Sequence, residues 1–286
     1  MKTDRLLLVL GVLLIGGIVG MMSNRLAWGD EASDTYEEGM RLLSEGRHRD
    51  AITAFDKAIR LNPRLAEAYH GRGMAHNETG QNERALKDYD AALALNPQYA
   101  EAYFNRANAY SDMGKYDRAL QDYGETLRLS PNHSGALFNR SLVYMILGRS
   151  EAAADAHAYV KIKGWKDDQV PYMVIFGVFG DRRAQRESEA RTFLDEATAN
   201  CNPAVWPYPV IRYLRRDLSA DDLLAAATDL DKKTEAQAYL GLDLALAGQR
   251  EGAVPHLQWV KKNGRKNFSE YRFAVIELNR LEAGGN

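Results

Sequence analysis

Three prolines recur at one constant interval, at Pro63, Pro97 and Pro131. Two sets of small residues keep the same spacing: the glycines Gly46, Gly80, Gly114 and Gly148, and the alanines Ala51, Ala85, Ala119 and Ala153. A constant period of this length means that the chain is an array of one repeated supersecondary unit rather than a sphere around a single core. We therefore expect function to lie on a surface rather than in a pocket.

The period divides the chain into frames 32–65, 66–99, 100–133 and 134 to about 163. Positions 8 and 20 of each frame are small, which lets two helices approach near the lower limit of helix packing. Position 24 is expected to supply a core ring in every copy: Phe55, Tyr89, Tyr123 and His157. The glycine at position 15 suits the left-handed cap that ends the first helix, and each proline ends the second.

Two blocks carry the pattern most clearly, residues 66–73 (AEAYHGRG) and 100–107 (AEAYFNRA). They resemble the tetratricopeptide repeat, a helix-turn-helix unit of this length. The resemblance implies an all-α fold, a right-handed superhelix of helix-turn-helix repeats. The apolar N-terminal residues are expected to add a hydrophobic anchor or signal helix before it. The resemblance covers four tandem repeats over residues 32–163.

Arginine occupies position 7 of copies two to four (Arg72, Arg106, Arg140), and aspartate occupies position 23 of copies two and three (Asp88, Asp122). These residues are expected to pair and form a ladder along the array. The sequence leaves open whether the pairs lie within a repeat or between neighbours. A row of arginines that binds anions is the less favoured alternative.

Beyond residue 163 the period is damaged, and 164–233 is predicted to be a degenerate repeat and connector. Residues 172–179 and 190–197 indicate a fifth helical pair, with Cys201 just past its end. A capping box begins at Ser219. Residues 234–286 are predicted to form one more repeat-like unit and an amphipathic capping helix.

Residues 239–248 (YLGLDLALAG) and 267–278 (NFSEYRFAVIEL) resemble the C-terminal part of the NlpI family of bacterial lipoproteins, which are exported repeat proteins. The resemblance implies cell-envelope partners, such as proteases or peptidoglycan-remodelling enzymes. A lipoprotein needs an acylated cysteine just after its signal, and this chain has none there. Lipid anchoring is therefore not supported.

An uncharged, apolar run extends without interruption from Leu6 to Met22. Residues 1–29 are thus a signal peptide or membrane anchor, to be kept out of the fold. Retention as an anchor is slightly favoured over cleavage after Gly29, which would leave a soluble periplasmic protein. Lys2 and Arg5 hold the N-terminus in the cytoplasm, so either alternative places the repeats outside it, in the cell envelope.

The formal net charge of the chain is −2. A net charge this close to zero argues against nucleic acid as a ligand, because phosphate binding needs a concentrated basic face. The six histidines show no metal-site spacing, and no nucleotide-binding or nucleophile motif is present. No pair of carboxylates stands in an apolar sequence context. We expect no enzyme, no metal and no cofactor; the remote alternative is an envelope hydrolase with its catalytic residues in 164–233.

In the tetratricopeptide family the first helices of the repeats build the inner face, which implies a protein-binding groove here. Its candidate residues occupy positions 5 and 9, with nearby asparagines: Tyr36, Met40, His70, Met74, Asn77, Phe104, Asn105, Asn108, Phe138 and Leu142. An aromatic row beside a methionine-containing row suits apolar or helical peptides. Equally, aromatic residues at position 5 can serve to pack neighbouring helices.

The sequence thus predicts a scaffold or adaptor with other proteins or peptides as partners, the membrane as a second partner through the N-terminal helix, and a homodimer as an open alternative. A permanent structural subunit of a membrane complex is the second functional hypothesis.

Overall fold

The computed structural model describes residues 31–283, and every regular element in that range is a helix. The predicted signal peptide or anchor over 1–29 lies outside the described residues. None of the helices between residues 31 and 283 is both long and apolar enough to cross a bilayer.

The chain divides into two compact units, with the boundary between Glu125 and Thr126 in α6. The first contains α1 (31–44), α2 (His48–Leu61), α3 (Ala66–Glu78), α4 (Asn82–Leu95), α5 (Ala100–Asp112) and the start of α6 (Tyr116–Leu129). The second contains the end of α6, α7 (Ser134–Leu147), α8 (Ala152–Lys163), α9 (Val170–Arg183), α10 (Glu187–Asn200), α11 (Tyr208–Arg215), α12 (Ala220–Ala226), α13 (Leu230–Leu246), α14 (Arg250–Asn263) and α15 (Ser269–Ala283).

The glycines and prolines that end the helices of the repeats lie where the sequence predicts. Gly46, Gly80 and Gly114, between the two helices of successive repeats, have φ values of +73°, +72° and +70°. In this left-handed region glycine has no steric cost. The second helices α2, α4 and α6 each end two residues before a proline of the periodic series. Helix boundaries in the repeats therefore follow from local backbone chemistry.

Glycines allow the helices of unit 1 to approach closely around the core rings. The fully buried Phe55 ring lies against Gly39 of its own repeat and Gly71 of the next. A Cβ atom placed on either glycine would stand 2.6 Å from that ring. Gly73 has the same relation to Tyr89, also at 2.6 Å. Each ring thus occupies the volume that its neighbours' missing side chains leave free.

The arginine ladder joins both kinds of neighbour. Arg72 donates to Asp88 of its own repeat at 2.6 and 3.0 Å and to Asp56 of the preceding repeat at 2.5 Å. Arg106 repeats the arrangement with Asp122 and Asp90. The predicted pairing of position 7 with position 23 is confirmed and lies within each repeat. The same arginines also reach the preceding repeat, where they bind the aspartate at position 25.

The fourth repeat departs from the predicted register. Arg140 pairs with Asp155, 15 residues later, whereas Arg72 and Arg106 pair with an aspartate 16 residues later. The second helix has therefore moved by one residue, and the expectation that His157 is a core ring is wrong. The His157 side chain is 43% exposed and stands 2.9 Å from Asp181. Ala156 is the buried residue beside it.

Unit 2 contains the predicted fifth helical pair, α9 and α10. Cys201 follows α10 directly and is buried, which raises the pKa of its thiol. Ser219 caps α12 by accepting from the Asp222 backbone N–H at 3.1 Å, as the capping box predicted.

A buried aspartate joins three helices of unit 2. The Asp243 carboxylate accepts from Arg182, Arg216 and the Tyr213 hydroxyl, which ties α9 and α11 to α13.

The close approach of the helices can be tested with two glycine-to-alanine substitutions. One is expected to lower the free energy of unfolding and the other to raise it. Gly71→Ala places a methyl group inside the Phe55 ring and should lower the free energy of unfolding by about 1–3 kcal/mol. Gly252→Ala, in α14, meets nothing nearer than 3.5 Å and should raise it by about 0.5–1 kcal/mol through helix propensity. Urea denaturation followed by circular dichroism measures both. Equal effects would contradict the packing described.

Candidate functional site

The position-5 residues pack against the core ring of their own repeat. Ring centroids lie 5.9 Å apart for Tyr36 and Phe55, and 6.1 Å apart for Phe104 and Tyr123. The His70 ring lies 5.9 Å from that of Tyr89. This column therefore supports the helix packing within each repeat and presents only part of its surface to a ligand.

His70 is the most enclosed of the predicted site residues, with 7% exposure. Burial is the main cause that lowers its pKa to about 4, so the ring is neutral at pH 7. Asn105 donates its amide Nδ2 hydrogen to His70 Nε2 at 2.8 Å. The proton of the neutral ring then lies on Nδ1, 3.0 Å from the Tyr99 hydroxyl oxygen. His70 thus fixes the side chain of Asn105 and is not itself open to a partner.

Three of the predicted residues meet at one hollow in unit 1: Met74, Asn77 and Asn105. It has a volume of about 370 Å³ and is formed by α1 to α5. The Tyr89 ring closes its base, and His48 lies at the start of α2 beside it. Sequence reasoning missed His48, because it stands on the second helix and outside the positions that the family uses.

Two polar atoms at this hollow are buried without a hydrogen-bond partner among residues 31–283: Asn77 Oδ1 and His48 Nδ1. An unsatisfied buried polar atom costs about 1–3 kcal/mol. A bound polypeptide supplies backbone N–H and C=O groups that satisfy such atoms. The arrangement therefore fits a site for a peptide backbone, with Met74 as its adaptable apolar wall.

Met40 and Asn108, also predicted for the groove, are not among the residues that line this hollow. Met40 packs against the core cluster around Phe55. Asn108 accepts a hydrogen bond from the Tyr123 hydroxyl at 2.7 Å.

The last two predicted residues, Phe138 and Leu142, line a second hollow, within unit 2. Its volume is about 470 Å³, and aromatic residues of α9 form another part of the wall. Two carboxyl side chains complete it, Glu235 of α13 and Glu270 of α15. Both are buried, with exposures of 7% and 5%.

This carboxyl pair corrects the expectation that no two carboxylates share an apolar environment. Burial, and then the neighbouring Glu270, raise the pKa of Glu235 to about 8. The two residues are far apart in sequence, so only the packing of α13 against α15 brings them together. A usable sequence signal did exist: Glu235 lies one helical turn before the core residue Tyr239, on the same face of the helix.

Glu235 should make stability depend on pH. Its pKa is higher in the folded state than the value near 4.3 of an unfolded chain, so the folded state holds the proton more tightly. The contribution of Glu235 to stability is then fully present below pH 4.3 and is lost as pH rises to about 8. Glu270, Asp231 and Tyr172 are the ionisable groups that face it.

Glu235→Gln removes this contribution, and at pH 8.5 it should raise the free energy of unfolding by about 3–5 kcal/mol relative to the wild type, because each pKa unit corresponds to about 1.4 kcal/mol. At pH 4 the two proteins should be nearly equal. Urea denaturation at both pH values measures the difference. Glu251→Gln, on an exposed position of α14, is the control; a similar shift in that variant would contradict the assignment.

A third hollow contains the His157–Asp181 pair, with Ser188 on its rim. Asp181 is also bound by Arg186 at 2.8 Å, and the His157 ring packs against Phe193 in a tilted arrangement, with centroids 4.1 Å apart. The Ser188 hydroxyl donates to Glu189 at 2.6 Å. These contacts fix the junction of α8, α9 and α10. Within residues 31–283, no group of three His, Cys, Asp or Glu side chains is placed to hold a metal ion.

Models of known protein families match the regular part of the chain. A model described as TPR repeat matches residues 39–80 and 73–114, and one described as tetratricopeptide repeat matches residues 100–133. These residues are tetratricopeptide repeats. Neither matching model describes an enzyme. No curated protein is similar enough to count as a match.

Several solved structures share the fold, two of them described as tetratricopeptide repeat proteins. One from Parabacteroides merdae has a TM-score of 0.57 at 16% identity, over 87% of this chain and all of that one. PilF of Pseudomonas aeruginosa has a TM-score of 0.51 at 16% identity, over 90% of this chain and 99% of its own. YrrB, described as having an unusual peptide-binding site, has a TM-score of 0.51 at 17% identity, over 64% and 91%. At these identities the likeness concerns the fold.

Proposed function

We propose that this protein is an exported, membrane-tethered scaffold that binds proteins or peptides through the first helices of its tetratricopeptide repeats and serves assembly or remodelling of the cell envelope. The observation that carries the binding role is the unit 1 hollow. It combines an apolar methionine wall with two buried polar atoms, Asn77 Oδ1 and His48 Nδ1, that no described residue satisfies.

The hollow suits a polypeptide better than a small metabolite. About 370 Å³ is near the lower end of small-molecule pockets, and no charged cluster lines it. Leu43 and Met74 supply apolar contact, whereas Asn77 and Asn105 supply amide groups. A side chain of the partner would enter between α1 and α3, while its backbone lies along the amides. The described peptide site of YrrB supports binding by such a fold.

The envelope role rests on the N-terminal sequence. The apolar run from Leu6 to Met22 follows Lys2 and Arg5, the order that exports the rest of the chain. The likeness of residues 239–248 and 267–278 to the NlpI family supports envelope partners. Retention of the run would tether the repeats to the membrane on its outer side.

Asn77→Ala tests the binding role. The substitution deletes an acceptor that has no partner among the described residues, so the free energy of unfolding should stay the same or rise by about 1 kcal/mol. Affinity for the partner should nevertheless fall at least about tenfold, because a hydrogen bond from the bound backbone is lost. Asn279→Ala, exposed on α15, is the matched control and should change neither quantity.

The partner for that measurement is obtained by photo-crosslinking in native membranes with a reactive residue at Phe104. A second chain with the reactive residue at Lys87, exposed on the second-helix face, sets the background. The captured protein is then purified and its Kd measured by titration calorimetry. Capture at Lys87 alone, or equal Kd values for wild type and Asn77→Ala, would contradict the proposal. A stoichiometric complex that never dissociates would instead favour the permanent structural subunit.

The tether makes a separate prediction. The mature protein should begin at Met1 or Lys2 and remain in the membrane pellet after carbonate extraction, because an uncleaved apolar run from Leu6 to Met22 partitions into the bilayer. Mass spectrometry of the purified protein determines its N-terminus. A protein that begins at Asp30 and is released into the soluble fraction would show that residues 1–29 are a cleaved signal peptide.

A further inference from the structure

The unit 2 hollow is lined by buried carboxyl groups that form no ion pair, unlike the other buried carboxyl groups of the described residues. Eight aspartate and glutamate residues are buried between residues 31 and 283. Six of them form an ion pair with arginine: Asp88 with Arg72, Asp122 with Arg106, Asp155 with Arg140, Asp181 with Arg186, Asp243 with Arg182 and Arg216, and Glu277 with Arg183. The two without an ion pair in that range are Glu235 and Glu270, and both line the same hollow.

Neutral donors alone hold these two carboxyl groups. Trp206 Nε1 donates to Glu235 at 2.7 Å, and Tyr172 is within hydrogen-bonding reach of the same group. The Tyr239 hydroxyl donates to Glu270 at 2.8 Å, and the Ser269 hydroxyl donates to it at 2.9 Å. These donors fix both side chains at the wall of the hollow without neutralising them. A buried carboxylate without a cation is costly, and removing its partner normally destabilises a protein strongly.

The rest of the wall is aromatic. Phe138 of α7, Tyr172 and Phe176 of α9, and Phe268 just before α15 line the hollow. The Phe138 and Phe176 rings pack together with centroids 6.1 Å apart, so this wall is pre-formed. Aromatic faces attract ammonium and guanidinium groups, and carboxylates bind them directly. A volume of about 470 Å³ accommodates one long side chain.

We propose that the hollow between Phe138, Phe176, Glu235 and Glu270 binds the lysine or arginine side chain of a partner polypeptide. The cation takes the place that arginine of the chain itself takes beside the other six buried carboxylates, and its aliphatic part packs on the aromatic wall. A polypeptide is the occupant, rather than a free amine, because Phe138 and Leu142 belong to the repeat positions through which the protein is proposed to bind peptides. The assignment rests on that proposed function only in this respect.

Binding should release a proton. The pKa of Glu235 is raised to about 8 by burial and by Glu270, so at neutral pH the empty hollow holds a proton on this group. A cation favours the ionised form. Below pH 8 the ionised fraction rises about tenfold per pH unit, and affinity should rise with it until the free lysine itself loses its proton near pH 10.4.

The test uses the full-length protein and three blocked tripeptides that contain, at the central position, lysine, arginine or the uncharged norleucine. Titration calorimetry at pH 6, 7 and 8, in two buffers of different ionisation enthalpy, gives both affinity and the number of protons released. We expect the lysine and arginine peptides to bind at least about tenfold more tightly than the norleucine peptide, with an increase of about tenfold from pH 6 to pH 7.

Two variants and one control locate the effect. Glu235→Gln keeps an acceptor for Trp206 and should remove the dependence on pH and lower the affinity for the lysine peptide at least tenfold at pH 8. Glu270→Gln should lower it similarly. Glu251→Gln, exposed on α14, should bind like the wild type. Circular dichroism and urea denaturation of each variant confirm that it is folded before binding is compared.

Several results would overturn the proposal. Equal binding of the lysine and norleucine peptides would show that charge is not recognised, and unchanged binding by Glu235→Gln would place the site elsewhere. Tighter binding of spermidine or putrescine than of the peptides would make a free amine the ligand. If the tripeptides fail while Asn77→Ala still weakens the photo-captured partner, the cation site is wrong and the scaffold stands; the reverse outcome leaves the cation site without the scaffold.

Discussion

The fold depends on the close approach of helices around buried rings. Phe55 and Tyr89 fit against glycines that have no room for a methyl group, so the rings and the glycines specify each other. This packing sets the distance between the helices of one repeat and the next in unit 1. It also orients the first helices, so that Met74, Asn77 and Asn105 face one hollow. The binding surface is therefore a consequence of the core and not an addition to it.

Arginine satisfies the charges that this packing buries. Position 7 reaches both its own repeat and the preceding one, so the ladder links successive repeats while the ion pairs lie at the edge of the core. In unit 2, where the repeat pattern is damaged, Asp243 performs a comparable task for Arg182 and Arg216. The hollow of Glu235 and Glu270 is the exception. Between residues 31 and 283 every other buried carboxylate is paired with arginine, whereas these two have no cation and lie beside aromatic rings.

Sequence reasoning succeeded where a residue's role is local. The left-handed glycines, the helix ends before the prolines, the cap at Ser219 and the arginine–aspartate pairs all follow from backbone geometry or from a fixed offset in the repeat. The prediction from the sequence was wrong in the fourth repeat, where the arginine and the aspartate are 15 residues apart rather than 16. The one-residue shift in α8 moves His157 out of the core and beside Asp181, because a change of one residue in register turns a different side chain toward the core. Periodicity alone does not reveal such a shift.

For the candidate sites, the amino-acid pattern alone reveals that the chain contains repeats, which side of each repeat is the first-helix face, and which residue types stand on it. The tertiary structure decided which of those residues are free to act. His70, Met40 and Asn108 are engaged in internal contacts, whereas Asn77 keeps an unsatisfied oxygen. It also brought Glu235 and Glu270 together. The reason is physical: a repeat period fixes contacts between neighbours at constant offsets, but burial and charge pairing depend on distant helices whose relation no local pattern encodes.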